Sequence, residues 1–272
     1  MKIDLHNHTN NSDGVLSEEE LLIKAKENNV DIMALTDHDS VFGCDKIYEL
    51  SSKYGVKIIK GLELSTYYKK EPVHIVCLFK DNIIPQGMLD FSITNDNNRR
   101  NRAVKMMKNI EEIYGLKVDI EALLKENKII TRANMLRNVA KCNNMTYDEA
   151  SFYISNDSKA YIPSSKLSVK DGLKIAKDAG CLTILAHPCL LSNEAYNEVV
   201  TYGFDGIEVR YPSNKEGDEE KFINDAKKYN MVISAGSDCH GDSTHADVGT
   251  STLDYHEFLP IAKKLNLYLM EE

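Results

Sequence analysis

Histidines and carboxylates able to share a cation recur along the chain in short, ordered groups. His6-Asn7-His8 follows an apolar start, and in an extended stretch side chains two apart point the same way, so both imidazoles can reach one ion. Asp13 comes five residues later in the polar turn Asn10-Asn11-Ser12-Asp13-Gly14, placed to fold back over the same point. One apolar run ends in Leu35-Thr36-Asp37-His38-Asp39, another in Gly61-Leu62-Glu63, and a third carries His74. Later come Ala186-His187-Pro188 and Gly236-Ser237-Asp238-Cys239-His240. Polar bursts at the ends of apolar runs need partners, because a buried polar group without one is costly. Nine N and O donors, His6, His8, Asp13, His38, Glu63, His74, His187, Asp238 and His240, therefore come from six segments. A single zinc ion takes four ligands; this set suits two or three divalent metal ions with a carboxylate bridging them.

Such donors must be gathered at one edge of a fold. Residues 2–5, 31–35, 56–65, 73–79, 182–186, 206–209 and 232–235 read as strands. Helices fall between them. Ser17 and Glu20 make a capping-box pattern ahead of the apolar stripe Leu21, Leu22, Ala25 and Val30. Residues 40–54 form a second helix closed by Gly55, and others follow to Ala179 and over 216–229. This alternation signals a largely parallel sheet, and active sites of α/β barrels lie at the C-terminal ends of the strands, where the histidines fall. Between residues 85 and 163 the pattern changes to long polar helical segments, with Met106, Ile110 and Ile113, then Met135 and Val139, at helical spacing. The expectation is an α/β barrel built from residues 1–84 and 164–272, with 85–163 a helical insertion covering the mouth of the site.

The 272 residues suffice for one large domain with an insertion, and 42 % hydrophobic residues exclude an intrinsically disordered chain. No apolar run approaches the roughly 18 residues of a membrane-crossing helix. The start of the chain lacks a charged stretch followed by an apolar one, so the expected location is the cytoplasm. Against 33 Lys and Arg stand 42 Asp and Glu, a formal charge of -9 that argues against holding duplex DNA by its phosphates and suits collecting cations. The six cysteines form no C-x-x-C pair, so no disulfide framework is expected.

Taken in order, His6-x-His8, Thr36-Asp37-His38-Asp39, Gly61-x-Glu63, His74, Ala186-His187-Pro188 and Ser237-Asp238-x-His240 resemble the motifs of the PHP family, the polymerase and histidinol phosphatase domain. The likeness runs from residue 3 to residue 249. It implies a distorted (β/α)7 barrel of the PHP type with a trinuclear metal site. It further implies that His6, His8, Glu63 and Asp238 hold a first metal, Glu63, His74 and His187 a second, and Asp13, His38 and His240 a third. Glu63 would be the bridge and, with Asp238 and His240, the catalytic set. Mixed imidazole and carboxylate ligation accepts manganese, iron or zinc. Within the family the chain is most similar to stand-alone phosphoesterases acting on nucleoside 3',5'-bisphosphates, some of which trim short 5'-phosphorylated RNA. The features behind this are the insertion after His74, the segment Thr131-Arg132-Ala133-Asn134, and Gly206-Ile207-Glu208-Val209.

Phosphoester hydrolysis needs hydroxide at neutral pH, which a water bridging divalent ions provides, while the same ions take charge from the phosphate oxygens. Arginines complete such a grip with paired donors, and Arg132, Arg210 and Arg102 are the candidates. Two rival readings stay open. A histidinol-phosphate phosphatase would turn over an amino-alcohol phosphate with no regard to a base, and a non-catalytic PHP scaffold or binding module would lack a ligand. The expected partners are a small nucleotide and short RNA, not duplex DNA or a membrane; the oligomeric state is open.

Other residues near the motifs read differently. Asp4, Asp37 and Asp39 are expected to orient imidazoles. His245 and His256 are expected to face water, and Cys239 to pack in the core. The basic run Arg99, Arg100, Arg102, Lys105 and Lys108 is a solvated helix face or steers a nucleotide. Tyr67, Tyr68, Tyr161 and Tyr211 are rings on which a base could stack.

Overall fold

The structure is a computed structural model that describes residues 1–126, 128–163 and 166–267. Residue 164, where the barrel is expected to resume, lies outside the described residues. The chain divides into two compact units, residues 1–92 together with those from 166 onward, and residues 93–165.

In the first unit seven strands form one sheet in chain order: β1 (Ile3–Asp4), β2 (Ile32–Leu35), β3 (Lys57–Tyr68), β4 (Glu71–Leu78), β5 (Leu182–Leu185), β6 (Gly206–Arg210) and β7 (Val232–Ala235). Pairing is parallel from β1 to β3 and from β5 to β7, and antiparallel where β4 meets β3 and β5. The expected alternation thus breaks once. No helix separates β3 from β4, because Lys69 and Lys70 reverse the chain directly, Lys69 taking a left-handed φ of 55°. β3 also runs past its expected end at residue 65, to Tyr68. The segments after β7 and β1 then close the sheet into a barrel: the Leu5 amide donates to the Ala235 carbonyl (3.0 Å), Asp238 to His6 (2.9 Å) and His8 to Cys239 (2.9 Å).

Strand alternation sorts the apolar residues into two layers. Ile3, Leu5, Ile32, Ala34, Ile59, Val76, Leu78 and Ile184 fill the inside of the barrel, joined by Phe258 and Ile261 of the last helix, α10 (Tyr255–Lys264). Their neighbours Met33, Leu35, Ile58, Leu62, Leu64, Ile75 and Ile207 face the surrounding helices. Those helices are α1 (Glu18–Glu27), α2 (Cys44–Tyr54), the start of α3 (Gln86–Tyr114), α7 (Val169–Asp178), α8 (Asn193–Val199) and α9 (Asp218–Lys228). The expected capping box is present on α1, where the Ser17 amide donates to Glu20 Oε2 (2.8 Å) and the Glu20 amide to Ser17 Oγ (3.3 Å). Gly55 ends α2 at a φ of 69°.

The second unit comprises the rest of α3 with α4 (Ile120–Glu126), α5 (Arg132–Asn143) and α6 (Tyr147–Ile154). Its core holds Met106, Met107, Ile110, Leu123, Met135, Val139, Ala150 and Ile154. Ile113, read as part of that stripe, is 46 % exposed. The apolar face passes instead through Tyr114, one helical turn beyond Ile110. Among the described residues no helix is long and apolar enough to cross a membrane.

Closure leaves no room at the end of β7. A Cβ on Gly236 would stand 2.2 Å from His6 Cβ and 2.5 Å from Glu208 Oε1. Gly236→Ala is therefore expected to destabilise the protein by about 1–3 kcal/mol, measured as a lower urea midpoint at unchanged slope.

Candidate metal centre

The strand ends deliver the polar groups by tight, strained turns. Asp39, His187 and Asp238 are non-glycine residues at positive φ (53°, 27° and 52°). Each is pinned: the Asp39 amide donates to the Glu63 carbonyl (2.9 Å), the Asp238 amide to the His6 carbonyl (2.9 Å), and the His187 amide to Glu208 Oε2 (2.6 Å). Strain of this kind persists only where surrounding bonds over-determine it, and it gathers at functional sites.

The turns bring all nine donors together around Glu63. Its Oε2 lies 3.1 Å from His38 Nδ1 and 3.3 Å from both His6 Nε2 and His8 Nε2. Its Oε1 lies 3.0 Å from His187 Nε2 and 3.1 Å from His74 Nδ1. Asp238 Oδ1 is 3.0 Å from His8 Nε2 and 3.5 Å from His6 Nε2. On the other side Asp13 Oδ1 is 3.2 Å from His240 Nε2, and Asp13 Oδ2 is 3.7 Å from His38 Nε2. Three groupings have the size of a cation's ligand shell: His6, His8, Glu63 and Asp238; His38, Glu63 and His74; and His8, Asp13, His38 and His240. They differ from the sets implied by resemblance in that His38 stands in place of His187 beside Glu63 and His74, and His8 joins Asp13, His38 and His240.

Hydrogen bonding tests whether metal ions suit this cage. His6 Nε2, His8 Nε2, His38 Nδ1, Glu63 Oε2 and Asp238 Oδ1 are buried and have no hydrogen-bond partner, although they crowd one another. Buried polar atoms are rarely left so, and five in one place would be expensive. Lone pairs pointed at a common cation remove that cost, and imidazole nitrogen with carboxylate oxygen is the donor mixture of divalent transition ions.

The charges agree. Burial favours a neutral acid at Glu63, yet the imidazoles of His38, His6 and His74 hold its carboxyl well below the usual range. Asp238 is likewise held down by His6 and His8 against its own burial. Burial opposes a charged His8, but the adjacent carboxylates of Asp238 and Glu63 carry its pKa up to about 10. His6 is raised for the same reason. His38 goes the other way, because burial outweighs its acidic neighbours and takes it down to about 4. The carboxylates thus stay ionised and draw positive charge inward.

The supporting groups are not all those expected. Asp4 and Asp37 grip loop backbone and hydroxyls rather than imidazoles. Asp4 accepts from the amides of Gly249 (2.7 Å), Ser237 (3.1 Å) and His6 (3.3 Å). Asp37 accepts from the Thr9 amide and hydroxyl and from Ser12 Oγ, each at 2.7 Å. Asp39 accepts from the Ser65 amide at 2.8 Å. Imidazole orientation falls instead to Glu208, which sequence reasoning did not single out for this role. Its Oε1 lies 3.2 Å from His6 Nδ1 while Oε2 takes the His187 amide. Its signal was a carboxylate inside the apolar strand Gly206-Ile207-Glu208-Val209. Tyr211 donates its hydroxyl to Asp238 Oδ2 (3.0 Å). His245 is exposed, as expected, and it also stacks on His240 with ring centroids 4.0 Å apart, its Nδ1 2.9 Å from Asp242 Oδ1. Cys239 is buried in the outer core layer.

The arginines divide. Arg210, expected to grip phosphate, is engaged within the fold: its Nε donates to Glu219 Oε1 (2.6 Å), its Nη1 and Nη2 to the two oxygens of Glu257 (2.7 and 2.6 Å), and Nη1 also to the Thr252 carbonyl (3.2 Å). A guanidinium so engaged would have to abandon two carboxylates to grip phosphate. In the second unit Arg102 and Arg132 flank the Tyr161 ring at 5.5 and 5.7 Å. Arg102 Nε donates to the Ile162 carbonyl (2.6 Å) and Arg132 Nη2 to Asn156 Oδ1 (3.1 Å). Of the basic run, Arg100 is turned into its own unit, onto Asp96 (2.8 Å) and the Leu124 carbonyl (3.2 Å).

Known proteins resemble the chain over its whole length. The family described as PHP domain matches residues 4–154, more than half of the chain, and the chain belongs to that family. A 5'-3' exoribonuclease of Haemophilus influenzae is 26 % identical over 97 % of this chain and 98 % of its own. A phosphoribosyl 1,2-cyclic phosphate 1,2-diphosphodiesterase of Eggerthella lenta is 27 % identical, covering 88 % and 94 %. A 3',5'-nucleoside bisphosphate phosphatase of Chromobacterium violaceum is 26 % identical, covering 88 % and 87 %. Among solved structures, an amidohydrolase of Chromobacterium violaceum with bound sulfate superposes with a TM-score of 0.74 at 24 % identity, over 98 % of this chain and 96 % of that one, and so shares the fold.

Glu208→Ala is expected to weaken divalent-metal affinity by about 10- to 100-fold, measured by competition with a coloured chelator, because the His6 ring and the His187 turn lose their common anchor. Glu63→Ala should remove metal binding at stoichiometric concentrations in the same titration.

Proposed function

We propose that this PHP-domain phosphoesterase releases phosphate from nucleoside 3',5'-bisphosphates and also shortens 5'-phosphorylated RNA. The observation that carries the reading is the set of five unpartnered buried atoms gathered at Glu63. The nucleotide part draws support from relatives named for 5'-3' exoribonuclease and 3',5'-nucleoside bisphosphate phosphatase activity.

In this reading His6, His8, Glu63 and Asp238 hold one ion, Glu63, His74 and His187 a second, and Asp13, His38 and His240 a third, the metals being manganese, iron or zinc. When bound, the ions supply Lewis acidity, making hydroxide available near neutral pH and neutralising phosphate charge. The chain's own groups prepare that chemistry. Glu63 turns one oxygen toward each of two imidazole sets, so it fixes their spacing. Tyr211 takes the outer oxygen of Asp238, leaving Oδ1 turned inward, toward His6 and His8. Glu208 holds the His6 ring by Nδ1, so Nε2 is the nitrogen presented to the centre. Arg102 and Arg132 are the proposed substrate-binding residues of the helical unit, where planar guanidiniums match phosphate oxygens in pairs.

The test is phosphate release by the manganese-loaded protein from adenosine 3',5'-bisphosphate, histidinol phosphate, a phosphoribosyl cyclic phosphate and a short 5'-phosphorylated RNA. The bisphosphate is expected to show the highest kcat/KM. Preference for histidinol phosphate or the cyclic phosphate would overturn the substrate assignment while keeping the phosphoesterase. Arg132→Ala is expected to raise KM for the bisphosphate about 10- to 100-fold, the worth of a charge-assisted contact, with kcat little changed.

A further inference from the structure

The longest strand of the barrel does not stop at the metal centre. β3 continues five residues beyond Glu63, to Tyr68, and β4 answers from Glu71, so this hairpin stands past the last backbone pairing of the segment after β2, which ends where the Asp39 amide donates to the Glu63 carbonyl. Alternation puts Ile59, Glu63, Ser65 and Tyr67 on one face, opposite Val76, His74 and Pro72 of β4. Ile59 and Val76 identify that face as the inside of the barrel, and Glu63 and His74 identify it as the ligand-bearing one. Tyr68 falls on the other face and packs on the outer core layer.

The ring of Tyr67 is firmly mounted. Its amide donates to the Leu167 carbonyl (2.8 Å), and the segment around Ser168 runs parallel to the strand at this point. The Lys166 ammonium lies over the ring, 4.6 Å from its centroid. At the tip of the hairpin Glu71 accepts from the amide and hydroxyl of Ser192, tying it to the loop after β5. Tyr67 itself is neither buried nor fully exposed. The other rings considered for stacking are committed: Tyr211 to Asp238, Tyr161 to two guanidiniums of its own unit, and Tyr68 to the core. At about 3.3 Å per residue, four residues put the Tyr67 backbone about 13 Å beyond Glu63. That is too far for the phosphate being cleaved. It suits a group joined to that phosphate through a sugar.

We propose that Tyr67, with Lys166 over its ring, is the platform on which the substrate's nucleobase stacks, and that this pair makes the site prefer base-bearing phosphates. The assignment rests on the nucleotide reading above. An aromatic ring offers every base the same π-face, so the preference is for a base rather than for a particular one. The Lys166 ammonium places a positive charge beside the base, where the phosphate of a following nucleotide would pass.

The experiment compares kcat/KM for adenosine 3',5'-bisphosphate with that for ribose 5-phosphate in the metal-loaded wild type, Tyr67→Ala, Tyr67→Phe and Lys166→Ala. Tyr67→Ala should lower the ratio of the two constants roughly 5- to 150-fold, the worth of one base–aromatic stack, and the loss should sit in KM for the bisphosphate. Tyr67→Phe should preserve the ratio because it keeps the ring. Lys166→Ala should steepen neither substrate's kcat loss, but should weaken an RNA dinucleotide more than the bisphosphate. An equal loss on both substrates in Tyr67→Ala, or no loss on either, would overturn the platform while leaving the nucleotide reading intact. A wild type that cleaves ribose 5-phosphate but not the bisphosphate would overturn both.

Discussion

One buried carboxylate organises the molecule's chemistry. The Glu63 side chain is 1 % exposed, and five imidazoles stand within 3.3 Å of its two oxygens. A lone carboxylate in such a place would protonate or drag water in with it. Here it stays ionised because imidazoles are gathered around it from four separate segments of chain, those of His6 with His8, His38, His74 and His187. The imidazoles in turn depend on Glu63 and Asp238 to make their own burial tolerable. Neither half of the arrangement is sustainable alone, so removing one member exposes the cost of all the others.

The barrel is what permits that bargain. Parallel strands end side by side, so each needs only a short turn to add one or two donors to a common point. The strained conformations of Asp39, His187 and Asp238 mark where those turns are sharpest, and each is held through its own amide, by the Glu63 carbonyl, the Glu208 carboxylate and the His6 carbonyl respectively. The antiparallel pair β3 and β4 serves a different purpose. It brings Glu63 and His74 onto one face of one hairpin, which fixes their separation by register rather than by a loop.

Much of the candidate centre was legible in the sequence because each polar group is local: His6 with His8, Asp37 to Asp39, and Asp238 with His240 all sit where an apolar run ends. The groups that support them were not legible, since their partners are far away along the chain. Glu208 serves His6, 202 residues distant, and His187, 21 residues distant. Arg210 lies just past a strand, the place to look for a phosphate grip. Its fate was decided by Glu219 and Glu257, on helices whose docking no periodicity reveals. The extra length of β3 did leave a trace, since Ser65-Thr66-Tyr67-Tyr68 continues in residues that favour strands. The Lys69-Lys70 turn after it has none of the glycine or asparagine that usually announces a hairpin.

Asp4, which holds the first strand in place, does so through amides 233 and 245 residues further on. During synthesis the earliest histidines therefore leave the ribosome long before the carboxylate and loops that complete their surroundings. Until Gly249 has emerged, the barrel has an open seam and His6 and His8 stand without Asp238. The cage around Glu63 is therefore complete only once the seam has shut, when Asp4 has taken the Ser237 and Gly249 amides.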